Sequence, residues 1–190
     1  MSTVTTERSI NGIELPPAGA YEFDKSHTTI GFVARHMLSK VHGRFTEFDG
    51  ELKIGGSIED SSVTVQISAG SISTDSEQRD GHLRGGDFFD VEKYPTLNFV
   101  STALRVGEGN AFELDGDLTI KDTTNPVTLR GEFLGSGPGM RGGTLAAFSA
   151  RTTIEREDWD LTWNMAVETG GFLVGKKVDI VIDAELTLAQ

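Results

Sequence analysis

The chain contains no cysteine among its 190 residues, which excludes disulfide bonds and thiolate metal ligands. No run approaches the roughly 20 apolar residues that a helix needs to cross a bilayer, so we expect no integral membrane segment. The opening residues lack the basic start and apolar centre of a secretory signal, which predicts a cytoplasmic location. This polar opening closes at Pro16-Pro17, and we expect residues 1–19 to form a flexible N-terminal arm.

Positive charge is also scarce. Lysine and arginine number 17 against 29 aspartate and glutamate residues, and the formal net charge is -12. Such a chain repels a phosphate backbone, and the sequence shows no basic stripe. We therefore expect no nucleic-acid partner.

Helix-length apolar patterns are missing between the apolar segments, which excludes βαβ units. Apolar and polar residues alternate instead with the period of two that is typical of strands. Short turns such as "VGEGNA" fit antiparallel neighbours. The predicted fold is an all-β, eight-stranded antiparallel barrel over residues 20–190. The predicted strands are residues 29–37, 41–55, 62–68, 96–106, 112–120, 127–133, 144–155 and 178–188.

Two changes of phase interrupt the alternation. Phe45 and Phe48 lie on opposite phases, which predicts a β-bulge near Thr46–Glu47. A similar change from Phe99 to Val100 predicts a second bulge. Small residues are frequent on the inward phase and indicate volume for a ligand, although glycine also eases bending of a barrel. They are Ala34, Gly50, Ala69, Gly116, Gly131, Ala146, Ala150 and Ala184.

One short helix is predicted near residues 75–84. The segment "TDSE" matches a capping box with Thr74 as the cap, and Gly85-Gly86 end the helix. The helix carries Arg79, Asp80 and His82 within "RDGHLRGGDFF". These side chains either fix the helix to one end of the barrel or contact the headgroup of a ligand. The first interpretation is favoured.

The polar residues show no arrangement typical of catalysis or metal binding. His27 and His36 are nine residues apart in one extended run, which separates them by roughly 30 Å. No nucleophile elbow of the G-x-S-x-G type is present. We expect no catalytic residue, no metal and no cofactor. His36 lies on the inward phase, as either a core histidine with a hydrogen-bond partner or a polar anchor for a bound molecule.

Several stretches together resemble one family. They are "YEFDKSHTTIGFVARHM", "VHGRFTEFDGEL", "SISTDSEQRDGHLRGGDFFDVEKYPTLNFVS", "GDLTIKDTTNPVTL" and "VDIVIDAEL". Their order and spacing are similar to those of the YceI-like, polyisoprenoid-binding family of lipocalin-like proteins, over about residues 20–189. The resemblance implies a lipocalin-like barrel whose pore holds a long isoprenoid or other amphiphilic tail, a homodimer, and no catalysis. Members of this family are often secreted or periplasmic. The sequence departs from the family at "KDTTNPV" and at "REDWDLTW", which leaves the shape of residues 157–175 open.

Two functions stay open on this basis. The first is binding of a long-chain isoprenoid or similar amphiphilic lipid in the pore, for carriage, storage or sequestration. The alternative is an enzyme that acts on a small apolar substrate in the same cavity. The apolar segment 157–175 either packs on the barrel or forms a lid. The predicted ligand-binding residues are Ile30, Phe32, Ala34, His36, Phe48, Leu52, Val65, Ile67, Phe99, Phe112, Leu114, Leu129, Phe148, Trp159, Trp163 and Ile180.

Overall fold

The computed structural model describes residues 8–140 and 142–189, and within them the chain forms thirteen strands and one α-helix. No helix in this part of the chain is long and apolar enough to cross a membrane. In chain order the elements are β1 (Ser9–Ile10), β2 (Ile13–Glu14), β3 (Gly19–Phe23), β4 (Thr29–His36), β5 (Ser39–Phe45), β6 (Phe48–Ile54), β7 (Ser62–Ser68), β8 (Ile72–Ser73), α1 (Glu77–Arg84), β9 (Thr96–Val106), β10 (Ala111–Ile120), β11 (Thr123–Pro138), β12 (Thr144–Glu155) and β13 (Val174–Leu188).

Eight of these strands close a ring. Their order is β12, β11, β10, β9, β7, β6, β3 and β13, and β12 pairs with β13 to complete the circle. All neighbours in the ring are antiparallel. Beyond β3, strand β13 also pairs with β4, and β5 and β8 extend the sheet from there to the side where α1 packs. The predicted closed eight-stranded antiparallel barrel with one short helix is confirmed.

The strand predicted at residues 41–55 is interrupted in its middle. Thr46 and Glu47 leave the sheet, so that β5 ends at Phe45 and β6 begins at Phe48. The predicted bulge is therefore a complete break in the strand. Because two residues drop out of the pairing, both phenylalanines point inward, and they are 8% and 7% exposed.

Phenylalanine rings cover glycines on neighbouring strands of the barrel. The ring of Phe99 lies where a Cβ on Gly116 would be, and the ring of Phe112 does the same at Gly131. Aromatic side chains commonly fill the space that a glycine leaves on a sheet. The prediction that small inward residues leave open volume is therefore wrong at these two glycines, whereas Ala150 does border a cavity.

Helix α1 is fixed to the sheet through Thr74. Its backbone N–H and its hydroxyl both donate to Oδ1 of Asp80, at 2.8 and 2.6 Å. Arg79 donates from Nε to the Thr74 hydroxyl oxygen at 2.7 Å and from Nη2 to the Thr74 carbonyl at 2.8 Å. The capping-box prediction is wrong. The helix begins at Glu77, and Thr74 donates to the Asp80 side chain instead of capping the first turn. These contacts give Arg79 and Asp80 a structural role.

Residues 8–16 form a cap on the opposite end of the barrel. Strands β1 and β2 pair as a small hairpin. Arg8 donates to the carbonyl of Gly55 at 2.7 Å, and Asn11 donates to the carbonyl of Gly107 at 2.8 Å. Pro16 is fully buried. The flexible arm expected over residues 1–19 is thus replaced by a packed hairpin from residue 8 onward, and residues 1–7 lie outside the described part.

We predict that Asp80→Ala destabilises the fold by about 3 kcal/mol. Asp80 is only 4% exposed, and its loss leaves two buried Thr74 donors without an acceptor. The free energy of unfolding in urea measures the effect. Asp87→Ala is the matched control, since this carboxylate contacts His82 in the same region but its side chain is 55% exposed. Equal losses for the two variants would contradict the assigned role of Asp80.

Candidate functional site

The barrel encloses an apolar cavity of about 190 Å³. Its wall is drawn from strands all round the ring, because alternate residues of each strand point inward. All the lining side chains are apolar apart from Ser61, Ser62 and Thr152. The cavity is therefore a dry space that suits a hydrocarbon group.

Ten of the sixteen predicted ligand-binding residues line this cavity together. The structure shows their position but does not test their binding role, which stays a prediction. They are Ile30, Leu52, Val65, Ile67, Phe99, Phe112, Leu114, Leu129, Phe148 and Ile180.

Phe32, Ala34 and Phe48 do not line the cavity. The cavity reaches Ile30 on β4 and ends there, because a cluster of apolar side chains fills the barrel beyond it. Phe32 belongs to that cluster and lies 5.9 Å from the Phe45 ring. Ala34 lies two residues further along the strand. Phe48 is buried against the Phe23 ring, 6.1 Å away and edge-on, so that Phe23 takes the position on the cavity wall.

His36 also lies away from the cavity, which corrects its predicted place in the barrel interior. It is the last residue of β4, it is half-buried, and it pairs across the sheet with Ser39 and Val174. The strand alternation puts the side chain on the inward phase, but at this point β4 has run past the filled end of the barrel. A polar anchor for a molecule in the cavity is therefore not located at His36.

Trp159 and Trp163 help to close the end of the barrel where α1 lies. Trp159 is 3% exposed, and its indole N–H donates to the carbonyl of Leu118 at 2.9 Å. Trp163 packs edge-on against the ring of His82, at 4.6 Å, and against Phe88. Neither tryptophan borders the cavity, so residues 157–163 pack on the barrel and beside α1, whereas most of residues 165–172 are exposed. His82 in turn contacts the Asp87 carboxylate at 2.9 Å.

The predicted ligand-binding set left out several lining residues that alternation could have found, although Ala150 and Ala184 were already predicted to face inward. Ile182 and Leu186 share the phase of Ile180, and Leu118 shares that of Leu114. Leu104 gave no such signal, because β9 shifts register between Ser101 and Ala103 rather than at the predicted Phe99–Val100 step. The missed lining residues are Phe23, Ser61, Ser62, Val63, Leu104, Leu118, Val127, Ala150, Thr152, Ile182, Ala184 and Leu186.

A second cavity of about 80 Å³ lies beneath the N-terminal hairpin. Ile10, Ile13 and Leu15 cover it from the hairpin side. It adjoins the main cavity, since both are bordered by Leu52, Ser61, Leu104, Phe112 and Phe148. The hairpin therefore covers the mouth that leads into the barrel.

Arg156 is a buried arginine that the sequence analysis did not single out. It is 3% exposed, and it donates to the carbonyls of Gly175 at 2.9 Å and Trp163 at 3.0 Å, and to that of Leu161. Burial lowers the pKa of its guanidinium. The planar five-donor group thus ties the segment after β12 to the start of β13.

One group of side chains has the composition of a metal site. Ligand atoms of Asp24, His27 and Glu185 lie within 4.8 Å of one another at the bend between β3 and β4. Asp24 also accepts hydrogen bonds from the hydroxyl and backbone N–H of Ser26, at 2.6 and 2.9 Å, which together with His27 lower the pKa of its carboxyl far below the usual range. These contacts describe an Asx turn, and they account for Asp24 without a metal ion.

The chemistry available to the cavity is limited. In the described part of the chain, no aspartate, glutamate, lysine, arginine or histidine side chain borders it. The Ser61 hydroxyl accepts a hydrogen bond from the Gly55 N–H at 3.1 Å, and among the described residues it donates to no carboxylate or histidine. The wall can hold an apolar molecule, but it supplies no evident acid–base or nucleophilic pair.

These features define a small closed antiparallel barrel with an apolar interior cavity. The chain belongs to the YceI-like family, whose YceI-like domain matches residues 21–186, and the resemblance seen in the sequence is confirmed. A UPF0312 protein of Staphylococcus aureus is 36% identical over 175 residues, covering 90% of this chain and 98% of that protein.

Solved structures show the same fold. BcnA of Burkholderia cenocepacia has a TM-score of 0.76 at 22% identity, covering 86% of this chain and 98% of its own. A polyisoprenoid binding domain from Saccharophagus degradans, implicated in plant cell wall breakdown, has a TM-score of 0.67 at 13% identity. That comparison covers 91% of this chain and all of the other.

We predict that Arg156→Lys loosens residues 161–173 without unfolding the barrel. A lysine keeps the charge but cannot reach all the carbonyls that Arg156 serves, so local opening should become easier by about 2 kcal/mol and amide exchange there about thirtyfold faster. Hydrogen exchange followed by mass spectrometry measures this change. Arg151→Lys is the control, because Arg151 is exposed on β12, the strand that ends just before Arg156. Unchanged exchange in Arg156→Lys would show that the arginine does not hold the segment.

Proposed function

We propose that the protein binds the apolar tail of an isoprenoid or similar amphiphilic lipid in the barrel cavity, for carriage, storage or sequestration. The main observation behind the proposal is that the cavity wall is almost entirely apolar. Such a surface gains free energy by burying a hydrocarbon group and offers few hydrogen bonds to a polar one. The polyisoprenoid-binding domain with the same fold supports it. Membership of the YceI-like family supports a binding domain rather than an enzyme.

The size of the cavity limits what fits. Sites for small molecules typically measure roughly 300–1,000 Å³, and the main cavity has about 190 Å³. A long tail must therefore continue into the second cavity beneath the N-terminal hairpin, or widen the barrel. A headgroup then lies at the hairpin end, because the end beside α1 is filled by apolar side chains.

Binding energy should come from the fit of the wall. Each isoprene unit can gain at most roughly 4 kcal/mol at about 0.8 kcal/mol per buried carbon group. The gain is reduced by ordering a flexible tail and by removing it from a membrane or micelle, where it is already dry. Affinity should thus rise with tail length only until the cavities are full.

The alternative function is an enzyme acting on a small apolar substrate in the same cavity. It needs a reactive group beside that substrate, and the hydroxyls of Ser61, Ser62 and Thr152 are the polar groups on the wall. None of the four histidines lines the cavity, so binding is the better-supported function. The homodimer and the cytoplasmic location stay predictions.

We predict that Ala150→Phe lowers prenol affinity at least tenfold and shifts the best ligand to a shorter tail. Ala150 lines the cavity, and a phenyl ring there occupies the volume that a tail would fill. Titration with geraniol, farnesol and geranylgeraniol, followed by tryptophan fluorescence or calorimetry, measures the change. A saturated alcohol of matched length tests whether branching matters.

Ala103→Phe is the matched control for this experiment. Ala103 is exposed on the outside of β9, so the same substitution there should leave affinity unchanged. Circular dichroism checks that both variants keep the barrel. The proposal is wrong if the native protein binds none of these alcohols, or if both variants bind them equally well.

A further inference from the structure

The hairpin of β4 and β5 differs in charge from the rest of the chain. Residues 28–46 contain no aspartate or glutamate, although the chain has 29 of them. They carry Arg35, Lys40 and Arg44, with two histidines between. An acidic protein thus presents one locally basic hairpin.

The basic side chains share the outer surface of this hairpin. Lys40, His42 and Arg44 alternate along β5 with inward residues, and all three are exposed. Arg35 on β4 is exposed and lies directly opposite Lys40 on β5. Two like charges in such a cross-strand pair repel each other and destabilise the hairpin. Among the described residues, Arg44 alone of this set has an acidic partner, Asp75 at 3.3 Å.

The tip of the hairpin is apolar and exposed. Leu38 is 97% exposed and Met37 is 49% exposed. Met37 has a φ of 53°, in a two-residue turn where glycine or asparagine is the usual choice. A long apolar side chain is thus held outward at a position that does not favour it.

A second exposed apolar segment lies beside this tip. The N–H of Met37 donates to the carbonyl of Leu173, and the N–H of Leu173 donates to the carbonyl of Met165, both at 2.8 Å. Met165 is 56% exposed and Phe172 is 63% exposed. We call Met37, Leu38, Met165 and Phe172 the apolar tip. Lys176 and Lys177 follow closely in β13, and Lys176 pairs with Glu157 at 3.0 Å.

We propose that the apolar tip and its basic surroundings dock onto an anionic lipid membrane. Apolar side chains that enter the headgroup boundary, next to cations that meet anionic lipids, form the usual surface for such contact. The rest of the chain is acidic and would be repelled, so the protein approaches through this end. Glu168, which lies between Met165 and Phe172, is repelled by anionic lipid and so weakens the attraction of this surface to the membrane.

A second copy of the chain and a nucleic acid fit this surface less well than a membrane does. In a two-fold symmetric contact with a second copy, the same basic hairpin would face itself, and like charges would oppose the contact. A nucleic acid would satisfy the cations but would leave Leu38 and its apolar neighbours in water. An anionic membrane satisfies both parts. This docking does not require an occupied cavity, so it can succeed where the proposed ligand binding fails.

Sedimentation of the full chain with vesicles tests the proposal. Phosphatidylcholine vesicles that contain phosphatidylglycerol should bind the protein, and pure phosphatidylcholine vesicles should bind it much more weakly. High salt should weaken the binding. Arg35→Gln combined with Lys40→Gln should lower it by roughly fivefold per charge removed. Leu38→Asp should lower it at least tenfold.

Met140→Asp is the control for Leu38→Asp, because it makes the same charge change at another fully exposed apolar residue, at the opposite end of the barrel. Lys53→Gln combined with Arg151→Gln is the control for the double charge variant. The proposal is overturned if the two test variants and the two control variants bind anionic vesicles equally well. It is also overturned if the native protein does not bind these vesicles. A self-association that Leu38→Asp abolishes, without vesicle binding, would assign the surface to a second copy instead.

Discussion

The structure depends on the two-sided pairing of β13. Along one edge this strand pairs with β12 from Lys177 to Thr187, and along the other it pairs with β3 and β4. Closure leaves the ring without a free edge, and every second residue of each strand then points into a space that water does not reach. The alternation in the sequence, the apolar cavity and the capped ends all follow from that closure.

The interior is partly filled and partly open because phenylalanine rings cover two of its inward glycines, whereas two of its inward alanines border the cavity. At Gly116 and Gly131 a phenylalanine from the next strand occupies the missing side chain's place. Ala150 and Ala184, by contrast, border the cavity. The apolar cluster around Trp159 and Leu161 then closes one end, while the N-terminal hairpin covers the other.

Alternation predicted the barrel and ten of the residues that line its cavity, because the period of two is a local property of each strand. It failed where the period breaks or where the strand leaves the barrel. The register shift in β9 hid Leu104, and the extension of β4 past the filled end misplaced His36. The roles of Asp80 and Arg156 depend on partners that only the folded chain brings near, Thr74 and the start of β13. The packing of residues 8–16 on the barrel has no periodic signal at all.

Native mass spectrometry of the protein purified without detergent, followed by analysis of its organic extract, tests the central claim most directly. The account predicts an extra mass on the folded chain, released by organic solvent, from a single amphiphile with an apolar tail. A folded chain that carries no such mass, and that gains none after exposure to a lipid extract, would contradict the claim that the cavity holds a lipid tail.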